Sequence, residues 1–402
     1  MTRDARLLFL ARAVRMFGYG ALGVILVLYL AAAGFDAGSI GALLTLTLVG
    51  DTLISLYLTT HADQFGRRRT LVVGALLLVG AGVVFAWSTV FIVLLVAATI
   101  GVLSPSGAEV GPFLPIEQAS LTEVTPAARR TNIYAWYNLT GSVATATGAL
   151  VAGVAVGVLR AAGWDELSAY RAILAGYAVV GLALIPIVQS ISPAVEVPPP
   201  ADTSIARRLG LGKSRGVVFR LAALFSLDAF GGGLIVQSLL AYWFHSRFGL
   251  PEPVLGAIFF GANILAAVSA LAAARIAARI GLINTMVFTH LPSNILLMIV
   301  PLMPTVELAI LVLLARFSIS QMDVPARQSY TVSIVEPDER SAAAGVTGVA
   351  RTTGAALSPL IATPLFAVPA LAAVPFFLAG GLKIVYDLTL WRLFRNRKPD
   401  QG

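Results

Sequence analysis

The sequence predicts an all-α polytopic membrane protein with twelve transmembrane helices arranged as two pseudo-symmetric six-helix bundles. Three observations predict it. Of 402 residues, 58% are apolar and only 12% charged, with a mean hydropathy of +0.87; soluble domains are about 25% charged, so too little polar surface exists to solvate a globule. Apolar runs long enough to cross a ~30 Å hydrocarbon core in about 20 helical residues recur along almost the whole chain. The two halves of the chain also resemble each other in order.

Breaks at charge clusters, Pro and Gly set the spans at 8–31, 38–60, 70–88, 90–124, 131–158, 168–190, 216–244, 252–279, 283–302, 305–335, 341–366 and 369–394. Arg3 and Arg6 precede an apolar stretch that imitates a signal peptide, but the stretch passes Leu30 with no small-residue cleavage site in place, so it reads as the first span. One long polar interruption, Ser192 to Arg215, holds Pro198, Pro199 and Pro200 and then Arg207, Arg208, Lys213 and Arg215. It divides the chain into an N-terminal bundle (1–191), a linker (192–215) and a C-terminal bundle (216–402).

Lys and Arg orient the spans, because positively charged short loops resist translocation. Arg3, Arg6, Arg67 to Arg69, Arg129, Arg130, the linker, Arg275, Arg279, Arg340, Arg392, Arg395, Arg397 and Lys398 fall on one side, against Arg160, Arg171 and Arg247 on the other. Both termini are expected in the cytoplasm, with the inner (cytoplasmic) membrane of a bacterium as the setting. The formal charge of +8 fits loops facing anionic lipid; no nucleic-acid motif is present. With no Cys and three scattered His, thiolate metal sites, disulfides and a His-rich metal centre are excluded, and no cofactor or metal is expected.

The internal repeat has a spacing of about 210 to 215 residues. Arg15 to Gly20 aligns with Asp228 to Gly233, Gly41-Ala42 with Gly256-Ala257, and Pro115-Ile116-Glu117-Gln118 with Pro325-Ala326-Arg327-Gln328. Pro126 to Arg130 then matches Pro337 to Arg340, and Thr140-Gly141 matches Thr353-Gly354. Two repeated bundles with a solute path at their interface is an arrangement secondary transporters use.

Between spans two and three the chain reads Thr59-Thr60-His61-Ala62-Asp63-Gln64-Phe65-Gly66-Arg67-Arg68-Arg69. This resembles the loop signature G-x-x-x-D-R-x-G-R-[KR] of the major facilitator superfamily. Asp63, Gly66, Arg67 and Arg68 match; Thr59 and Gln64 depart. The second half keeps only Arg279-Ile280-Gly281. The resemblance implies the fold of that superfamily, a monomer, and a conformational latch in which Asp63 sits near a helix N-terminus, that of span eleven, while Glu123 pairs with Arg67. The plainer reading of Arg67 to Arg69 is as topology determinants. Span four is similar to R-x-x-x-G-x-G-x-x-x-x-x-P at Gly107 and Pro115, but Leu103 and Glu109 replace the Arg and the second Gly. Span five, Gly141 to Gly148, lacks the Gly-Pro pair of drug antiporters.

Ionisable groups at membrane depth are costly unless paired or wet, so each is a functional candidate. Asp51 and Glu109 are the proton-coupling candidates, against structural, hydrogen-bonded roles. Arg15 and Asp228 occupy equivalent positions beside Gly-rich segments and read either as a pair that forms in one access state or as packing charges. Arg316, Ser320, Asp323 and Arg327, spaced 4, 3 and 4, fall on one face of span ten, with Gln321 nearby; a self-neutralising ladder is the alternative. Tyr19, Tyr134, Asn138, Gln237 and Arg351 complete the substrate-cavity candidates, with Thr145 on the same face of span five as Tyr134 and Asn138. Lys383 and Asp387 read as an intrahelical pair.

The function expected is secondary active transport of a small polar or amphipathic organic solute by alternating access, coupled to protons and directed outward. Uptake symport and movement of a lipid or lysolipid are the alternatives within transport; a membrane sensor or enzyme is the alternative outside it. The absence of H-E-x-x-H, G-x-S-x-G and P-loop motifs argues against an enzyme.

Overall fold

The computed structural model describes residues 1–126, 130–196, 214–336 and 339–395, with no strand among them. Fifteen α-helices follow in order: α1 (Arg3–Ala32), α2 (Ala37–Phe65), α3 (Arg67–Trp87), α4 (Phe91–Ile100), α5 (Phe113–Glu123), α6 (Arg130–Ala161), α7 (Glu166–Gln189), α8 (Arg215–Gly233), α9 (Gln237–Phe248), α10 (Glu252–Ile280), α11 (Leu282–Ile299), α12 (Val306–Phe317), α13 (Asp323–Ser333), α14 (Arg340–Ala367) and α15 (Val374–Phe394). Among the described residues, nine helical stretches are long and apolar enough to cross a membrane. The other three of twelve passes are α4 with α5, α12 with α13, and α14. The first two are split into pieces of 10 to 12 residues, and α14 carries Arg340 and Arg351.

Spans seven and ten, expected as continuous helices, are each interrupted, as is span four around the Ser104 to Gly107 segment that breaks its helical pattern. Gly101, Pro105, Gly107, Gly111 and Pro112 occupy the gap between α4 and α5, where Pro removes helix donors and Gly107 and Gly111 adopt positive φ of 67° and 79°. Between α12 and α13 the break precedes Pro325, whose ring would collide with the carbonyl of residue 321 if the helix ran through. Pro115 and Pro325, matched by the repeat, both stand third in the helix that resumes, where a missing N–H is tolerated. In span seven the run Gly231 to Gly233 ends α8, and Gln237 begins α9. The 4, 3, 4 register of span ten therefore does not describe one helical face, since Arg316 and Asp323 lie on different helices.

The described residues cluster into two compact units, drawn from Met1–Pro199 with Val236–Asn263 and from Pro200–Ile235 with Ile264–Gly402. In the first, α1 packs against α6, α7 and α9, and α3 against α7. The α1–α6 approach is backbone to backbone: a Cβ on Gly20 would run into the carbonyl of Thr145, which is the use small residues have in membrane helix packing. In the second, α8 packs against α14 and α15, and α11 against α13 and α15, around Phe225, Met286, Tyr330, Tyr386 and Leu390. Large apolar side chains such as Leu53, Trp87, Val158, Val179 and Leu311 remain exposed, as lipid contact requires. Within the expected linker, residues 197–213, with Pro198 to Pro200, Arg207, Arg208 and Lys213, lie outside the described residues, as do Arg129, Pro337, Arg397 and Lys398.

Candidate functional site

Buried ion pairs at membrane depth form one cluster in each unit. In the first, Arg15 is fully buried and uses its whole guanidinium fork. Its Nε and Nη2 donate to Glu109 Oε1 at 3.0 and 2.7 Å, and its Nη1 and Nη2 donate to the two oxygens of Glu117 at 2.5 and 2.8 Å. Arg12 Nη1 donates to the other oxygen of Glu109 at 2.8 Å, and the Tyr137 hydroxyl donates to Glu117. Arg15 lies over the Phe113 ring and Arg12 over the Tyr137 ring, each 4.4 Å from the centroid. Two cations and two carboxylates so close in a dry site satisfy one another, and bidentate geometry makes the assembly rigid.

Asp51 stands apart from these ions. No cation pairs with it among the described residues; its Oδ1 accepts the Gly111 N–H at 2.6 Å and the Ser55 hydroxyl at 3.3 Å. The helix gap is held from several sides: Tyr19 donates to Val110 O at 3.1 Å, Tyr177 to Val102 O at 2.7 Å, Ser104 to Ala108 O at 2.6 Å, and the Ser238 N–H to Pro105 O at 3.2 Å. Gln237 lies over Gly107; its Oε1 accepts from Asn263 at 3.1 Å, while its buried Nε2 has no partner.

In the second unit Asp228 accepts from Lys383 Nζ at 2.7 Å and from Arg327 Nη1 at 3.3 Å, and His290 Nε2 is 3.8 Å away. Arg327 also donates to Asp323 at 2.9 Å. Asp387 faces His290 Nδ1 at 2.9 Å and accepts from Asn294 at 3.0 Å. Lys383 and Asp387 thus turn outward to α8 and α11, and the intrahelical pair expected of their spacing gives way to these two interhelical ones. Each of the repeat-equivalent residues Arg15 and Asp228 has its ionic partners inside its own unit.

The repeat acquires a meaning here. Arg15 and Asp228 are equivalent, and so are Glu117 and Arg327; the structure pairs Arg15 with Glu117 and Asp228 with Arg327. The same two positions are bonded in both halves with the charges exchanged, so the interaction is retained although its polarity is reversed.

Of the remaining cavity candidates, Tyr134 is engaged with Gln118 O at 3.0 Å and with Thr122, fastening α6 to α5. Asn138 is exposed, and Thr145 donates back to Gly141 O at 3.0 Å. The Gln321 backbone N–H donates to the Ser269 hydroxyl at 3.2 Å. Arg316 and Arg351 form no salt bridge with a carboxylate among the described residues, and the Nε of each is buried without a partner.

At the α2–α3 loop, Gly66 has φ of 94° and joins the two helices. Arg67 Nε donates to Asp63 at 2.8 Å, and Arg67 Nη1 lies 3.8 Å from Glu123. The strongest holds come from a residue the motif does not contain. The Glu196 carboxylate accepts the backbone N–H groups of Arg67 and Arg68 at 2.7 and 3.1 Å, capping α3, whose N-terminus has no local side-chain cap. Arg67 and Arg68 donate in return to Val195 O and Gln189 O at 3.0 and 2.6 Å. Ser192 is tied to Asp4 through its N–H and hydroxyl at 2.9 and 2.6 Å.

Sequence reasoning missed Glu117, Arg12, Tyr137, His290 and Glu196 as participants. Glu117 was legible as a carboxylate inside an apolar span, eight residues from Glu109; the other four carry no sequence signal of comparable strength.

Twelve passes, interrupted helices bearing buried ions, and a repeated half define a polytopic membrane transporter rather than an enzyme. The Major Facilitator Superfamily model matches residues 8–359, and the chain belongs to that superfamily. It is similar to an uncharacterised membrane protein of Saccharomyces cerevisiae, 29% identical over 98% of this chain and 94% of the relative. Among solved structures it is similar to the nucleoside transporter NupG (14% identity, TM-score 0.74, 98% of this chain and 100% of that one). It is also similar to the xylose transporter XylE of E. coli (14%, 0.75, 99% and 97%) and to the human organic anion transporter MFSD10 (15%, 0.62, 96% and 99%). These likenesses carry the fold.

Proposed function

We propose that the protein exports a small polar or amphipathic organic solute by alternating access, driven by protons that load on Asp51. The two six-helix halves, 1–191 and 216–402, act as the alternating bundles, and the protein works as a monomer in a bacterial inner membrane with both termini cytoplasmic. The observation that carries the reading is the contrast between Asp51 and Glu109. Glu109 bridges two arginines, so a proton there would strand buried cationic charge on Arg12 and Arg15. Among the described residues Asp51 accepts from neutral donors alone, so its protonation leaves no cation unpaired.

A charge count supports the same choice. Among described groups lying at least six residues inside the ends of their spans, the first unit holds Arg12 and Arg15 against Asp51, Glu109 and Glu117. One proton on Asp51 balances it. Because Asp51 accepts from the Gly111 amide, loading that proton weakens a hydrogen bond to the helix gap, which ties proton binding to the backbone between α4 and α5. The Asp63, Gly66, Arg67, Arg68 and Glu123 loop serves as the latch that secures one access state.

The test uses purified protein in proteoliposomes containing a pH-sensitive dye, challenged with a chemically broad solute panel under an imposed pH gradient. Proton movement that depends on a solute and on active protein supports coupled transport, and opposite directions for proton and solute support export. Solute movement with no proton signal refutes the coupling.

A further inference from the structure

The second unit has the opposite imbalance. By the same criterion it holds Arg316, Arg327, Arg351 and Lys383 against Asp228, Asp323 and Asp387, a surplus of one fixed positive charge before His290 is counted. The carboxylates are consumed by Lys383, Arg327 and His290, and Arg316 is left out of that network altogether. Among the described residues its guanidinium meets the adjacent Phe317 ring, 4.9 Å away, and no carboxylate, and its buried Nε has no hydrogen-bond partner there.

Arg316 is half-buried and lies deep within its span. Ten residues beyond the start of α12, it sits about 15 Å along the helix, near the middle of a ~30 Å core. At about 100° per residue, Leu308, Leu311 and Ala315 make the exposed stripe of α12, Leu311 being 62% exposed. Arg316 lies on the other side, in the sector of Ala309 and Leu313, both fully buried. It also stands one residue before the end of α12, beside the break that separates α12 from α13. A permanent cation on the inward stripe at mid-membrane, without a carboxylate, is a site built for an anion that arrives.

We infer that the transported solute is an organic anion and that Arg316 binds its negatively charged group. The inference rests on the transport reading and names its substrate class. The carboxylate or equivalent group of the solute supplies the charge that the second unit lacks, and the guanidinium offers it paired N–H donors.

The experiment measures counterflow in proteoliposomes with the full-length protein and size-matched solutes of different charge: 1-naphthoate, 1-naphthamide and 1-naphthylmethylammonium, followed by further triads of the same design. Carboxylate members are expected to be carried in preference to their neutral and cationic counterparts. Arg316→Gln should weaken their apparent affinity about 10- to 100-fold, and Arg316→Lys, which keeps the charge, should retain part of it. Thermal melting of both variants separates this loss from misfolding. Preference for a neutral or cationic member, or anion transport unchanged in a folded Arg316→Gln, overturns the assignment; if such a solute still moves protons, the transport reading survives it. A wild-type protein that carries none of the solutes and moves no protons counts against both.

Discussion

Glu117→Gln is the perturbation that most directly probes the buried ion cluster. In the native protein Glu117 is fully buried and receives two hydrogen bonds from Arg15 and one from Tyr137. The substitution keeps shape and one acceptor but removes the charge, leaving Arg12 and Arg15 to share Glu109 alone. Breaking a buried pair by removing one partner costs about 3–5 kcal/mol; the retained amide oxygen and the second carboxylate should hold the loss to the lower part, about 3 kcal/mol. Arg15→Gln should cost as much, and the double variant should cost well under the sum, with a coupling of about 2 kcal/mol. The assay is reversible unfolding of the purified protein in mixed micelles for wild type, both single variants and the double. Additive losses, or a Glu117→Gln as stable as wild type, refute the claim that these charges are held by one another.

Other outcomes follow from the same geometry. Lys383→Ala should destabilise by about 3 kcal/mol, the lower part of the range for a broken buried pair, because Asp228 still keeps the longer 3.3 Å bond from Arg327; Asp228→Asn added to it should recover part of the loss in the same unfolding assay. Glu196→Ala should cost about 0.5–2 kcal/mol and speed amide exchange at residues 67–70, with little change elsewhere, because it uncaps only α3. Asp36 caps α2 from the loop, and its carboxyl is held below its ordinary range by the Ser39 hydroxyl and by the backbone N–H groups of Ser39 and Gly38. A lowered folded pKa means that the stabilisation is present above the ordinary value of 3.8 and is lost as pH falls through the folded one. Amide protection at Gly38 and Ser39 should therefore persist at pH 5 and disappear in acid below pH ~3.8, whereas Asp36→Asn should not show that step.

The fold was legible because a bilayer imposes length, composition and loop charge on every pass. Apolar letters run through Val102, Leu103 and Val110 as they do through a helix, so the gap in span four was visible only in its Gly and Pro, and that in span ten only through Pro325. The candidate site was legible as a set of charges but not as a set of pairs. Spacing at i and i+4 joins Lys383 to Asp387 on paper, yet tertiary neighbours on α8 and α11 offered each a better partner. Arg15 and Asp228 were recognised as equivalent by the repeat; what escaped was that Glu117 and Arg327, two alignment blocks further on, complete the two pairs. Glu196 sits in a Pro-rich stretch that reads as linker, and only the folded chain shows it reaching back across some 130 residues to the start of α3.

The central claim is that Asp51 carries the coupling proton, and Asp51→Asn tests it most directly. The amide oxygen of Asn can still accept the Gly111 N–H, so the helix gap keeps its geometry while the titrating group is gone. Measured side by side in proteoliposomes, solute exchange without a gradient should continue in this variant, and uphill transport driven by a pH gradient should be abolished. Undiminished pH-driven accumulation by Asp51→Asn contradicts the account.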